Sequence, residues 1–117
     1  MNRENTLAVI FGVEGNKDLK EVHDTIRNYN KVLLVGDDRK ALHERVLEIE
    51  KQFPEEKPMY VQADVTKEDE LAKLICLVKY KFGGADHVLN YTDIQDENEK
   101  TLAEGAFEKF HAEAVNA

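Results

Sequence analysis

Four times along this chain a short run of consecutive apolar residues is followed by a longer stretch in which apolar residues return every three or four positions. Consecutive apolar positions suit a strand covered on both faces, and the three-to-four period suits a helix with one buried stripe. The spacing predicts strands at Leu7 to Gly12, Lys31 to Gly36, Met59 to Ala63 and His87 to Tyr91. A first helix is expected over about Asp18 to Tyr29, with Leu19, Val22, Ile26 and Tyr29 on one stripe. A second is expected over about Arg39 to Phe53, burying Leu42, Val46, Ile49 and Phe53, and stopping where FPEEKP supplies two prolines. The third starts at TKED, where Thr66 with Asp69 matches a capping box, carries Leu71, Leu74, Ile75, Val78 and Phe82, and ends at the glycine pair. The fourth repeats the signal as TLAE with Thr101 and Glu104, and buries Leu102, Ala106, Phe107 and Phe110. DIQDENEK, the most polar stretch, is expected to be an exposed loop.

Strand-then-helix alternation implies βαβ units and a parallel sheet, and right-handed crossovers leave few topologies for four of them. The fold class expected is therefore α/β: one three-layer Rossmann-like domain, 1–117, with helices on both faces and strand order 3-2-1-4. That order puts the fourth strand at an edge.

Composition narrows the possible chemistry. The chain has 117 residues, a size that suits one domain, and 42% of them are hydrophobic. Its 24 Asp and Glu against 16 Lys and Arg give a net charge of −8, which repels a phosphate backbone and speaks against nucleic acid as a partner. No apolar run is long enough to cross a bilayer and no secretory signal opens the chain, so no membrane role and a cytoplasmic location are expected. The lone Cys76, in LICLV, is expected to be a buried or half-buried structural thiol. His23, His43, His87 and His111 form no ligand spacing, so no metal site is expected, and the absence of serine removes every serine nucleophile.

VIFG with its turn, KVLLVGDDRKAL, ADVTKEDEL and KFGGADHVLNYTDI together resemble the first half of a short-chain dehydrogenase/reductase, over almost the whole chain. The family's loop reads Thr-Gly-x-x-x-Gly-x-Gly. Its first glycine falls on Gly12, its second on Asn16 and its third on Asp18, with Gly15 one place before the second. Asp18, with Glu21, can cap its own helix and would repel a pyrophosphate there. The resemblance places Gly36 where the family's NAD-using members carry an acid, and Asp37 at the next position, where NADP-using members often carry Arg. An acid at that point favours free ribose hydroxyls over a 2′-phosphate, or, together with Asp38, opens the second helix electrostatically. Asp64 and Val65 match family residues on the adenine side, although an Asp after a strand is also ordinary turn chemistry. Asn90 keeps the first Asn of the family's Asn-Asn-Ala-Gly, whereas Tyr91, Thr92 and Asp93 replace the rest and imply a filled or reshaped cleft. Gly12, Gly15, Asp37, Asp64, Val65 and Asn90 are thus the candidate, vestigial cofactor positions.

The family's acid/base pair is a Tyr with a Lys four residues later. None of Tyr29, Tyr60, Tyr80 or Tyr91 has one, so no catalytic residue is assigned. The expectation is a dehydrogenase-like domain without catalysis of its own, working through oligomerisation or weak ligand binding. No cofactor is expected, and NAD is the one favoured if any binds. The bare fourth strand and fourth helix are expected to be covered by a second copy or another protein. The alternative is an NAD-dependent oxidoreductase fragment, or half of a split enzyme whose partner supplies Tyr and Lys. A regulatory nucleotide-binding module is a third reading.

Overall fold

A computed structural model describes residues 7–12, 23–24, 26–29, 31–55, 58–90 and 96–115. Four parallel strands, β1 (Leu7–Phe11), β2 (Lys31–Gly36), β3 (Met59–Gln62) and β4 (His87–Asn90), form one sheet in the order β3-β2-β1-β4. This is the expected topology. In register, Leu7 faces Lys31 and Phe11 faces Val35 across β1 and β2, while Ala8 faces His87 and Phe11 faces Asn90 across β1 and β4. The two central strands are apolar at consecutive positions because both of their faces are covered, and every residue of β1 is buried.

Helix α1 (Arg39–Gln52) begins where Asp38 Oδ1 accepts from Ala41 N at 3.1 Å, and it buries Leu42, Val46 and Ile49. Those side chains close over Ala8, Ile10, Val32 and Leu34, together with Ile26. Of the first expected helix only 23–24 and 26–29 are described, and Arg27 N donates to His23 O at 3.0 Å, a helical bond. The opposite sheet face presents Leu7, Val9, Phe11, Leu33 and Val35 to α2 (Glu68–Cys76) and α3 (Glu97–Ala114). A π-helix (Leu77–Lys81) carries α2 on, and Gly83 and Gly84 then end it with φ of 77° and 99°, values that only glycine adopts freely.

Several local expectations are corrected. Thr66 does not cap α2: its hydroxyl and its N–H both go to Asp64 Oδ1, and Lys67 occupies the cap position without a side-chain bond. Helix α3 starts earlier than Thr101, with Asp96 Oδ1 accepting from Glu99 N at 3.0 Å, so the second half of DIQDENEK is helix rather than loop. Thr101 instead donates its hydroxyl back to Glu97 O at 3.0 Å. With that start the buried stripe becomes Ala103, Ala106, Phe110 and Ala114, and Leu102 is left 59% exposed. Cys76 is exposed rather than buried, because LICLV is longer than a helical stripe is wide and Leu74, Ile75 and Val78 take the inward positions.

Two ties at the lower end of the sheet were not legible in the sequence. Asp86 Oδ2 accepts from Leu7 N at 2.8 Å while Asp86 N donates to Leu7 O at 2.8 Å. Ala85 N donates to Ala114 O at 2.8 Å, and an isolated parallel bridge joins Ala85 to Val115, which pins the end of α3 beside β4.

Candidate functional site

Parallel strands deliver their carboxyl ends to one edge of the sheet, and there the backbone must turn away into helices. At that edge a cleft of about 240 Å³ opens over the ends of β1, β2 and β3, with α3 as its far wall. The residues that leave it open are small: Gly12, Gly36, Ala63 and Ala103 all line it. Its floor is aromatic. The Phe11 ring meets Phe107 edge to face at 5.0 Å and Phe110 at 5.3 Å, and Phe11 and Phe107 both face the cleft.

The structure brings four of the six sequence candidates to this one place, since Gly12, Asp37, Asp64 and Val65 all line the cleft. Gly12 turns the chain out of β1 at φ 79°, which an L-side chain rarely adopts, and its N–H donates to Val35 O at 3.3 Å. Asp37 is exposed, and its backbone carbonyl accepts from Gln62 Nε2 at 3.1 Å. Asp38, not Asp37, caps α1. Asp64 spends Oδ1 on the Thr66 hydroxyl and N–H, the turn chemistry that competed with a ligand role. Asn90 ends β4 but is not among the lining residues. Gly15, with Asn16, Asp18, Tyr91 and Asp93, lies outside the described residues.

On the α3 wall, sequence reasoning missed Glu99, Ala103 and Phe107 as site residues. Asp96 followed three places later by Glu99 is an Asp-x-x-Glu signal for the earlier start of α3.

The electrostatics of the cleft follow from its donor and acceptor inventory. Among the described lining residues there is no lysine, arginine or histidine, and there are three carboxylates, Asp37, Asp64 and Glu99. Several backbone N–H groups of the described lining residues are bonded within the protein. Ala63 N donates to Gly36 O at 2.8 Å, Asp64 N to Glu70 Oε1 at 2.9 Å and Thr66 N to Asp64 Oδ1 at 3.1 Å. Among the described residues, no hydrogen bond or ion pair engages the carboxylates of Asp37 or Glu99. The cleft therefore offers acceptors over an apolar floor. No group of three or more side chains that could hold a metal ion forms among the described residues.

Solved structures share this architecture. L-sorbose reductase from Gluconobacter frateurii, solved with NADPH and L-sorbose, superposes with a TM-score of 0.72 at 18% identity over 93% of this chain and 46% of its own. A short-chain dehydrogenase from Bacillus anthracis gives 0.66 at 23% identity over 96% and 52%. A metagenomic short-chain oxidoreductase solved with NADP gives 0.68 at 15% identity over 92% and 57%. The chain thus has the Rossmann-like fold of the short-chain dehydrogenase/reductases, and it spans about half the length of these structures. No family model and no curated protein sequence matches it. No helix among the described residues is long and apolar enough to cross a membrane.

Proposed function

We propose that this chain is a dehydrogenase-like Rossmann domain whose cleft at the strand ends binds a small ribose-bearing ligand weakly, without acid/base catalysis by its own residues. The observation that carries the reading is the convergence of Gly12, Asp37, Asp64 and Val65 on one cleft beside an aromatic floor. Asp37, at the end of β2, has a carboxylate free to accept a pair of vicinal hydroxyls. Such charge-assisted bonds are about twice as strong as neutral ones. The case against catalysis rests on composition: the chain has no serine and no Tyr with Lys at the fourth following place.

A ligand that binds only the folded state raises its melting temperature. Adenosine or NAD at millimolar concentration is expected to do so, while NAD(P)-linked turnover of alcohols or carbonyl compounds by this chain stays at background. No shift with any adenosine compound would remove the ligand half of the reading, and measurable hydride transfer would remove the other half.

A second reading is favoured by β4. It ends the sheet with one backbone edge unpaired by the described strands, and its Val88 and Leu89 are only half-buried. Such an edge recruits another strand. We propose that in solution this chain associates through β4 and the neighbouring α3, with a second copy as the occupant. Sedimentation at increasing concentration tests it, and a monomer throughout would count against it.

A further inference from the structure

We propose that the open edge of β3 docks an extended peptide segment of another protein, taken up as an added antiparallel strand with a basic, an acidic and an apolar side chain at alternate positions. This edge lies across the sheet from β4.

β2 pairs with one edge of β3, and no described strand lies along the other. Ala63 N donates to Gly36 O at 2.8 Å, so by the alternation of a strand Val61 turns its backbone groups toward β2, and Tyr60 and Gln62 turn theirs outward. Sheet edges are commonly blunted by charge, proline or a bulge. Met59, Tyr60, Val61 and Gln62 include no charge and no proline, and they pair with β2 in unbroken register.

A groove of about 440 Å³ runs beside this edge, between Val61 and Gln62 on the sheet and Asp69, Lys73 and Leu77 on α2 and its π-helical continuation. Val61 and Leu77 are half-buried, so each still shows apolar surface. Asp69 and Lys73 are exposed, and among the described residues neither has a hydrogen bond or an ion pair. Glu70, also on the wall, is engaged within the protein: Oε1 accepts from Asp64 N at 2.9 Å, and Oε2 lies 3.8 Å from Lys67 Nζ.

Spacing sets what fits. From Asp69 to Leu77 a helix advances about 12 Å at ~1.5 Å per residue, and a strand advances ~6.7 Å for every two residues. Three same-side positions of one strand therefore span the groove, opposite Asp69, Lys73 and the Val61–Leu77 surface in turn. α2 runs back from the carboxyl end of the sheet, so a peptide antiparallel to β3 meets Asp69 first and reads basic-x-acidic-x-apolar. A second copy is the poorer occupant, since neither MYVQ of β3 nor HVLN of β4 supplies that pair of opposite charges. Main-chain bonds then give affinity and the alternate side chains give selectivity.

Fluorescence anisotropy of a labelled, end-blocked Lys-Thr-Glu-Thr-Leu peptide, titrated with the intact 117-residue chain, tests this. It is expected to bind, and Glu-Thr-Lys-Thr-Leu, of the same composition, to bind several-fold more weakly. The double variant Asp69→Lys with Lys73→Glu is expected to reverse that preference, and a thermal melt checks that it folds. Methylating the peptide's amide nitrogens in one alternate set is expected to abolish binding, and in the other set to leave it, since only one set faces β3. Equal binding of the two peptides, or a preference that the double variant leaves unreversed, overturns the charge order. Equal loss from both methylated sets overturns strand addition, and binding by neither peptide overturns the edge as a peptide site. A peptide that splits a self-associated form of the chain gives the edge to a second copy and overturns the proposal.

Discussion

The two faces of β1 are equally buried and end in different things. Ala8 and Ile10 look toward α1, where Val32, Leu34, Leu42, Val46 and Ile49 close an aliphatic core with Tyr29, Phe53 and Tyr60 at its margin. Leu7, Val9 and Phe11 look toward α2 and α3, where the core is as continuous but runs upward into the aromatic group of Phe11, Phe107 and Phe110 and then into the cleft. Alternation along a strand delivers two cores. What sets the second apart is the set of small residues at the cleft's rim, Gly12, Gly36, Ala63 and Ala103, which leave space there.

Substitutions can break or sharpen that contrast. The largest effect is expected from Phe11→Ala, which removes a buried ring from between two others. It should cost ~3–5 kcal/mol in denaturant unfolding and should abolish any ligand-induced rise in melting temperature, because the cleft loses its floor. Leu42→Ala on the α1 face is expected to cost ~2–5 kcal/mol. It should leave the ligand-induced shift intact, and its loss would mean that the faces are coupled. Asp38→Ala removes the α1 cap and is expected to cost ~1 kcal/mol by the same unfolding measurement. Glu99→Gln is expected to change stability by less than ~0.5 kcal/mol, as an exposed substitution does.

The sheet was legible in the sequence because its information is local and repeated. KVLLVG and LAVIF are apolar at successive positions, and helix-length segments between strands leave little choice of order. Helix starts were harder to read because several residues compete for the same bond. Thr66 matches a cap by type and spacing, yet Asp64 lies two residues back and takes both its hydroxyl and its N–H. Thr101 likewise matches a cap but sits within a helix that Asp96 had already begun. The family resemblance singled out Gly12, Asp37, Asp64 and Val65, and the carboxyl edge of the parallel sheet brings them together at one cleft. The far wall was not legible. Glu99 and Phe107 reach the cleft only because α3 packs with Phe110 against Phe11, a long-range pairing that no local pattern encodes.

The account turns on ligand binding at one face and not the other, and residue-resolved amide shifts during an adenosine titration observe that directly. Gly12, Asp37, Asp64, Val65 and Ala103 are expected to move together along one saturating curve, while Leu42, Val46 and Ile49 inside α1 stay in place. Saturable shifts centred on α1, or none at the five cleft positions, would contradict it.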